Sequence, residues 1–200
     1  MMIRDLYMSV LISMFAATAT FPFHGSAEAK PAKLLSKNNG EYFLERGHVY
    51  ENGNGVPKDI SKACDWYEQA AKAGSASGMN YYGVCFGGNG GRELNYANAA
   101  SWYLKAFDAG YVHAARNLAV LIANGLGTKT DPDAAAAIIA AVIPHDAQTR
   151  DELKSHPNDW PVSFRAALHR ILIRRGFLTG TPDGKFGPRT YAAIDRLSNN

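Results

Sequence analysis

Residues 47–74 read GHVYENGNGVPKDISKACDWYEQAAKAG, and the way this stretch recurs decides the fold. Shifted by 36 residues, Gly47 falls on Gly83 and Ala119, Tyr50 on Phe86 and Ile122, and Gly55 on Gly91 and Gly127. The same shift carries Asp59 onto Asn95 and Asp131, Ala63 onto Ala99 and Ala135, and Ala70 onto Ala106 and Val142. Trp66-Tyr67 falls on Trp102-Tyr103 and then on Ile138-Ile139. A fixed period of this size is that of a solenoid, in which each unit cannot bury its apolar face alone and stacks on its neighbours.

Within one unit, Asn52-Gly53-Asn54-Gly55 ends a first helix, and Asp59 opens a second by offering its carboxylate to the free amides of the next turn. Asn95 and Asp131 are placed to do the same. Ala63, Trp66, Tyr67 and Ala70 then follow at three-and-four spacing, the spacing of a buried helix face, and Gly74 closes the helix. The recurrence of both Trp-Tyr pairs assigns them to the core between layers rather than to a sugar-stacking platform.

Gly47, Tyr50, Gly53, Gly55-Val56, Asp59, Lys62-Ala63, Trp66-Tyr67, Ala70-Ala71 and Gly74 together resemble the signature of the Sel-one-like repeat, a relative of the tetratricopeptide repeat. The expected fold is all-α: an α/α solenoid of about three helix pairs, at 41–76, 77–112 and a divergent 113–147, followed by a small helical module. In the third unit Ile138-Ile139 replace Trp-Tyr, and Pro144-His145-Asp146 replace the closing glycine turn. The resemblance implies a surface that binds a protein partner. The repeat-equivalent residues Glu45, Tyr81 and Asn117 of the first helices are the expected partner-binding positions.

Asp133 to Ile143 leave little polar face, so that helix is expected to be covered on both sides, with 148–162 folding back as a connecting and capping segment. Cys64 in the second helix of unit one and Cys85 in the first helix of unit two lie equally far from the turn at Gly74-Ser75. In an antiparallel pair such residues sit side by side, and an even cysteine count in an exported chain predicts a disulfide between them.

From Ser163, Phe164, Leu168, Ile171 and Leu172 define a helix face that ends at Gly176. The turn dipeptide Asp183-Gly184 follows, and Pro188 suits the first turn of another helix. Leu168, Leu172, Gly176, Phe177, Gly180, Asp183-Gly184, Phe186-Gly187, Thr190, Ala193 and Ile194 resemble, in partial form, the peptidoglycan-binding module of bacterial wall enzymes; His169 and Ser198 stand where that family usually has glutamine. The resemblance implies a peptidoglycan-contacting set of Arg170, Arg174, Asp183, Gly184, Lys185, Phe186, Gly187, Arg189 and Thr190 on a module spanning 163–200. The alternative is that the Asp183 to Gly187 segment only holds a tight turn over the helix pair.

The chain begins with Arg4, an apolar stretch from Leu6 to about Ala19, and Ala27-Glu28-Ala29 before Lys30. This order is that of a secretory signal peptide, residues 1–29, cleaved after Ala29, followed by a linker at 30–40; an uncleaved inner-membrane anchor is the alternative. Periplasmic export excludes nucleic acid as the partner. Charge is uneven: residues 41–147 hold 8 basic and 11 acidic side chains, whereas 163–200 hold 7 basic and 2 acidic. A basic tail fits an anionic wall polymer.

No catalytic constellation emerges. His48, His113, His145, His156 and His169 lack metal-ligand spacing and are expected in loops or on the surface. Gly125-Leu126-Gly127-Thr128-Lys129-Thr130 lacks the spacing of a phosphate loop and is the repeat's own inter-helix loop. The sequence thus points to a non-enzymatic envelope adaptor without metal or other cofactor, whose partner is an envelope protein and whose tail contacts peptidoglycan. An accessory factor of a cell-wall hydrolase, and a purely structural or regulatory repeat protein whose last helices only cap the array, are the alternatives.

Overall fold

Each helix start expected at Asp59, Asn95 and Asp131 is made by a single capping bond. The Asp59 carboxylate accepts from the Lys62 amide at 2.9 Å, the Asn95 side-chain oxygen from Asn98 at 3.0 Å, and Asp131 from Ala134 at 2.9 Å. The computed structural model describes residues 32–88 and 91–199. The proposed signal peptide lies outside the described residues.

The described chain is helical throughout. Helix α1 spans Ala32–Asn52, α2 Ile60–Lys72, α3 Ala76–Val84, α4 Tyr96–Asp108, α5 His113–Asn124 and α6 Pro132–Val142. Helix α7 spans Ala147–Ser155 and is followed by a 3-10 turn at Pro157–Asp159; α8 spans Val162–Arg174 and α9 Pro188–Ser198. The stretch 30–40, read as a linker, is helical from Ala32, consistent with the good helix formers Ala32-Lys33-Leu34-Leu35. Successive helices pack in sequence order, α1 on α2, α3 on α4 and α5 on α6, with α2 on α3 and α4 on α5 joining the pairs. Sequential antiparallel stacking of this kind is the architecture the 36-residue period implies.

The glycines at 47 and 83 explain one line of the repeat signature. A Cβ on Gly47 would lie 2.2 Å from the Tyr67 ring, and one on Gly83 2.7 Å from the Tyr103 ring. The first helix of each unit gives up a side chain so that the tyrosine of the second can enter. Unit three makes the reciprocal exchange, with Ala119 in the glycine position and buried Ile139 in the tyrosine position. Gly83→Ala is therefore expected to cost about 1–3 kcal/mol by overpacking. A urea titration checks this, and an unchanged midpoint would show that the Tyr103 ring moves aside freely.

The Trp-Tyr pairs divide between core and periphery, which corrects the expectation that both rings are core. Tyr67 and Tyr103 are buried. Trp66 and Trp102 are half-buried at the edge of the helix pair. Trp66 stacks on Phe43 at 5.9 Å under the Arg46 guanidinium, and Trp102 packs against Tyr82 with the Lys105 ammonium 4.0 Å from its ring centre. The two rings stand one residue, or 100° of helix turn, apart, so only one of them points inward.

Cys64 and Cys85 are bonded and buried, their Cα atoms 5.9 Å apart, joining α2 to α3 as the symmetry about the turn predicted. Beyond unit three, α6 does lie between two layers. Ala136, Ile139, Ala140 and Ile143 share one continuous core with Leu153, Trp160, Phe164, Leu168 and Leu172, and also with Ala193, Ile194 and Leu197 of α9. Helix α8 packs directly on α6. Among the described residues no helix is long and apolar enough to cross a membrane.

Candidate functional site: the inner face of the array

The first helices α1, α3 and α5 meet along one side, and polar contacts mark the line. Asn117 on α5 donates from its amide nitrogen to the side-chain oxygen of buried Asn80 on α3 at 3.0 Å. His48 on α1 packs edge-on against Tyr81 on α3 at 4.6 Å, and Tyr81 stacks on Tyr67 at 5.1 Å. Two of the three expected partner-binding residues, Tyr81 and Asn117, thus lie on this face half-buried in contacts between units, and the third, Glu45, is exposed.

Beneath Tyr81, the Tyr67 hydroxyl donates to the Glu51 carboxylate at 2.6 Å and lies 2.9 Å from the His48 Nδ1 atom. Burial, and then the bond to Glu51, push the Tyr67 pKa far above the usual phenol range, so it remains a donor. Tyr103, at the corresponding place in unit two, is pushed up to about 12 by burial. At unit three the buried Asp146 carboxylate caps α7. It accepts from the Thr149 hydroxyl at 2.6 Å and the Gln148 amide at 3.1 Å, with His113 Nδ1 at 3.2 Å. Burial raises the Asp146 pKa, but the Thr149 and His113 bonds outweigh it and hold the carboxyl below its usual 3.8.

A cleft of about 240 Å³ opens where this face meets the end of the array, lined by Tyr103, Arg116, Asn117, Val120, Asp159 and Trp160. Trp160 reaches it from the segment after α7, 43 residues from Asn117 in sequence, so no repeat-based reading could have placed it there. Arg116, the cleft's cation, is paired with Glu152. Among the described residues no group of three or more His, Cys, Asp or Glu side chains could hold a metal ion.

The nine residues picked out in the C-terminal module take up different duties. Arg170 pairs with Asp133 of α6 at 2.7 Å, and Arg189 donates to the Thr179 carbonyl and hydroxyl at 3.1 and 3.0 Å. Asp183 caps its own turn through the Lys185 amide at 3.0 Å. A side chain on Gly184, at φ 71°, would meet the Val162 carbonyl at 2.8 Å, so the turn sits hard on the start of α8. Phe186 stacks on His169 at 5.2 Å, and Thr190 is buried against the same ring at 3.0 Å. Gly187 precedes α9 as its cap residue. Arg174 and Lys185 are exposed, and their side chains make no described bond. Arg189 and Arg196, which donates to the Phe177 carbonyl, line a second cleft of about 390 Å³ with Leu178 and Ala192.

His169 corrects the reading of all histidines as loop or surface groups, being only 3 % exposed on the face shared with Phe164 and Leu172. Burial holds its pKa below the usual 6.5, although the Asp183 carboxylate, 3.5 Å away, opposes this. The unfolded chain therefore takes up this proton first. The stability the neutral ring contributes is complete above about pH 6.5 and declines as the pH falls below it. Denaturant midpoints at pH 7.5 and 5.5 are expected to differ more for the wild type than for His169→Gln, and equal differences would count against it.

The comparisons agree with this geometry. The Sel1 repeat matches at residues 44–75, 76–111 and 112–137. A crystal structure of c5321, a protective antigen present in uropathogenic Escherichia coli strains and displaying an SLR fold, superimposes with a TM-score of 0.54 at 22% identity over 87% of this chain and 33% of that one. A Sel1 repeat protein from Oxalobacter formigenes superimposes with a TM-score of 0.53 at 18% identity over 86% of this chain and 76% of that one. The chain spans about a third of the length of the Escherichia coli antigen. No match in sequence is found among curated proteins. The described residues form an all-helical array in which 44–137 match three Sel1 repeats, the fold of the two superimposed structures.

Proposed function

We propose that this chain is a non-enzymatic adaptor of the bacterial envelope that binds a protein partner along the inner face of its repeats. The observation that carries the reading is the cleft at Asn117, where two repeat units and the Trp160 segment converge on one opening beside a row of half-exposed side chains. The buried disulfide is consistent with an oxidising compartment, and with the export expected from residues 1–29. Val84, the repeat equivalent of His48 and of Val120 in the cleft, is 38 % exposed. A photo-crosslinking side chain at Val84 is expected to trap discrete protein adducts in cells producing the chain, while the same group at exposed Ser101 on a second helix traps none. Equal labelling from both positions would sink the reading.

The C-terminal module is proposed to dock the adaptor on peptidoglycan through its unpaired cations, foremost Arg174 and Lys185. Each exposed contact is worth only about 0.2–1 kcal/mol, so several must act together. A second reading, that α8 and α9 serve only as the cap of the array, is favoured by the core they share with α6. Because that core would be opened by deleting the module, charge reversal is the cleaner test. Co-sedimentation with insoluble peptidoglycan that is lost in Arg174→Glu/Lys185→Glu supports docking; no sedimentation by the folded wild type leaves the cap alone.

A further inference from the structure

Resting on the adaptor reading, we infer that the inner face takes an extended polypeptide segment with basic side chains at one end and an apolar side chain about six residues away. The face is chemically asymmetric. At its unit-one end Glu41 and Glu45 stand one turn apart, both exposed and neither paired with a described cation. Glu51 follows on the same helix, oriented by Tyr67 and His48 and still about a third exposed. Three carboxylates in succession favour ammonium or guanidinium groups and repel acidic ones.

Toward the other end apolar side chains enter the lining beside the polar ones. Val84 is followed by Val120, the Tyr103 ring and Trp160, with the Asp159 carboxylate at the rim. A leucine-sized side chain fits a cleft of about 240 Å³. The one arginine there is neutralised by Glu152, and His113 faces Asp146, so neither presents an unpaired cation that would turn a basic segment away. The half-exposed Asn117 amide retains donor and acceptor capacity beyond its bond to buried Asn80, which suits the backbone of an extended segment.

The spacing follows from packing. Two steps between neighbouring first helices, at about 8–10 Å each, separate α1 from α5 by roughly 20 Å. An extended chain covers that in about six residues at about 3.3 Å per residue. The chain's own basic module does not meet this description, because Arg170 and Arg174 are carried on a helix whose apolar face is already buried.

Fluorescence anisotropy with the folded full chain and three nine-residue peptides tests the inference. The first peptide opens with two lysines and carries leucine six positions on, with serine and asparagine elsewhere; the second has glutamates for the lysines; the third has serine for the leucine. The first is expected to bind about tenfold or more tightly than either other at low salt, the equivalent of about 1.4 kcal/mol. Glu41→Gln/Glu45→Gln, both exposed and harmless to the fold, is expected to abolish the lysine preference and keep the leucine preference.

Equal affinities, or no binding of the first peptide at about 1 mM, overturn the inference. So do salt-sensitive dimers in sedimentation velocity that Arg174→Glu/Arg175→Glu abolishes, since the occupant would then be a second copy. Adducts at Val84 without any peptide preference would leave the adaptor reading standing and remove this one.

Discussion

Phe164→Ala is expected to lower the unfolding free energy by about 3–5 kcal/mol. Against a typical total of about 5–15 kcal/mol, that loss is large enough to unfold a marginal chain. Phe164 is fully buried, stacks on Trp160 at 4.1 Å, and lies in the core that α8 shares with α6. Removing the ring leaves a cavity that helices held on both sides cannot close. The distinguishing readout is tryptophan fluorescence in a Trp160→Phe background, where only Trp66 and Trp102, in the repeats and far from Phe164 in sequence, report. Their transition should move to lower denaturant with that of the whole chain. If they melt unchanged while the far-ultraviolet signal of α8 and α9 is lost early, the module is an independent unit and not part of the array's core.

Cys64→Ser/Cys85→Ser, or full reduction, is expected to destabilise the chain by about 3 kcal/mol, the chain-entropy value for a loop of about 20 residues. For a domain of this size that corresponds to a melting temperature lower by about 10 °C. Both sulfurs are buried, so the oxidised chain should resist mild reductant until it opens. Thermal melts with and without strong reductant check the size, and a shift below about 2 °C would mean that helix packing alone fixes α2 on α3.

Much of this architecture is legible without coordinates because its causes are local. Asp59, Asn95 and Asp131 announce helix starts through a bond three residues long. Cys64 and Cys85 announce their pairing through symmetry about one turn. What failed was phase: the period repeats Trp66 and Tyr67 alike, and cannot say which points inward. The signal that decides it is elsewhere in the unit, in the exchange of Gly47 and Gly83 for Ala119 where tyrosine becomes Ile139. His169 was misplaced because a polar residue one step from Leu168 reads as surface, while its partners Thr190 and Asp183 come from across a turn. Repeat equivalence places Tyr81 and Asn117 on one face, whereas Trp160 and the slot it forms depend on a fold-back that carries no periodic mark.

The disulfide sits at a junction between units, and this distributes the mechanics of the array unevenly. Solenoids act as springs whose compliance lies in the joints between repeats. Here the first joint, α2 to α3, is welded covalently, while the last, α6 to α8, is cemented by a common core. The joint between α4 and α5 has no disulfide and is held by a core of its own, in which Ala99, Tyr103 and Ala106 meet Ala114, Leu118 and Leu121. Bending under load therefore falls on the joints that packing alone holds, the one beside Asn117 among them, while the covalently tied acidic end keeps its shape.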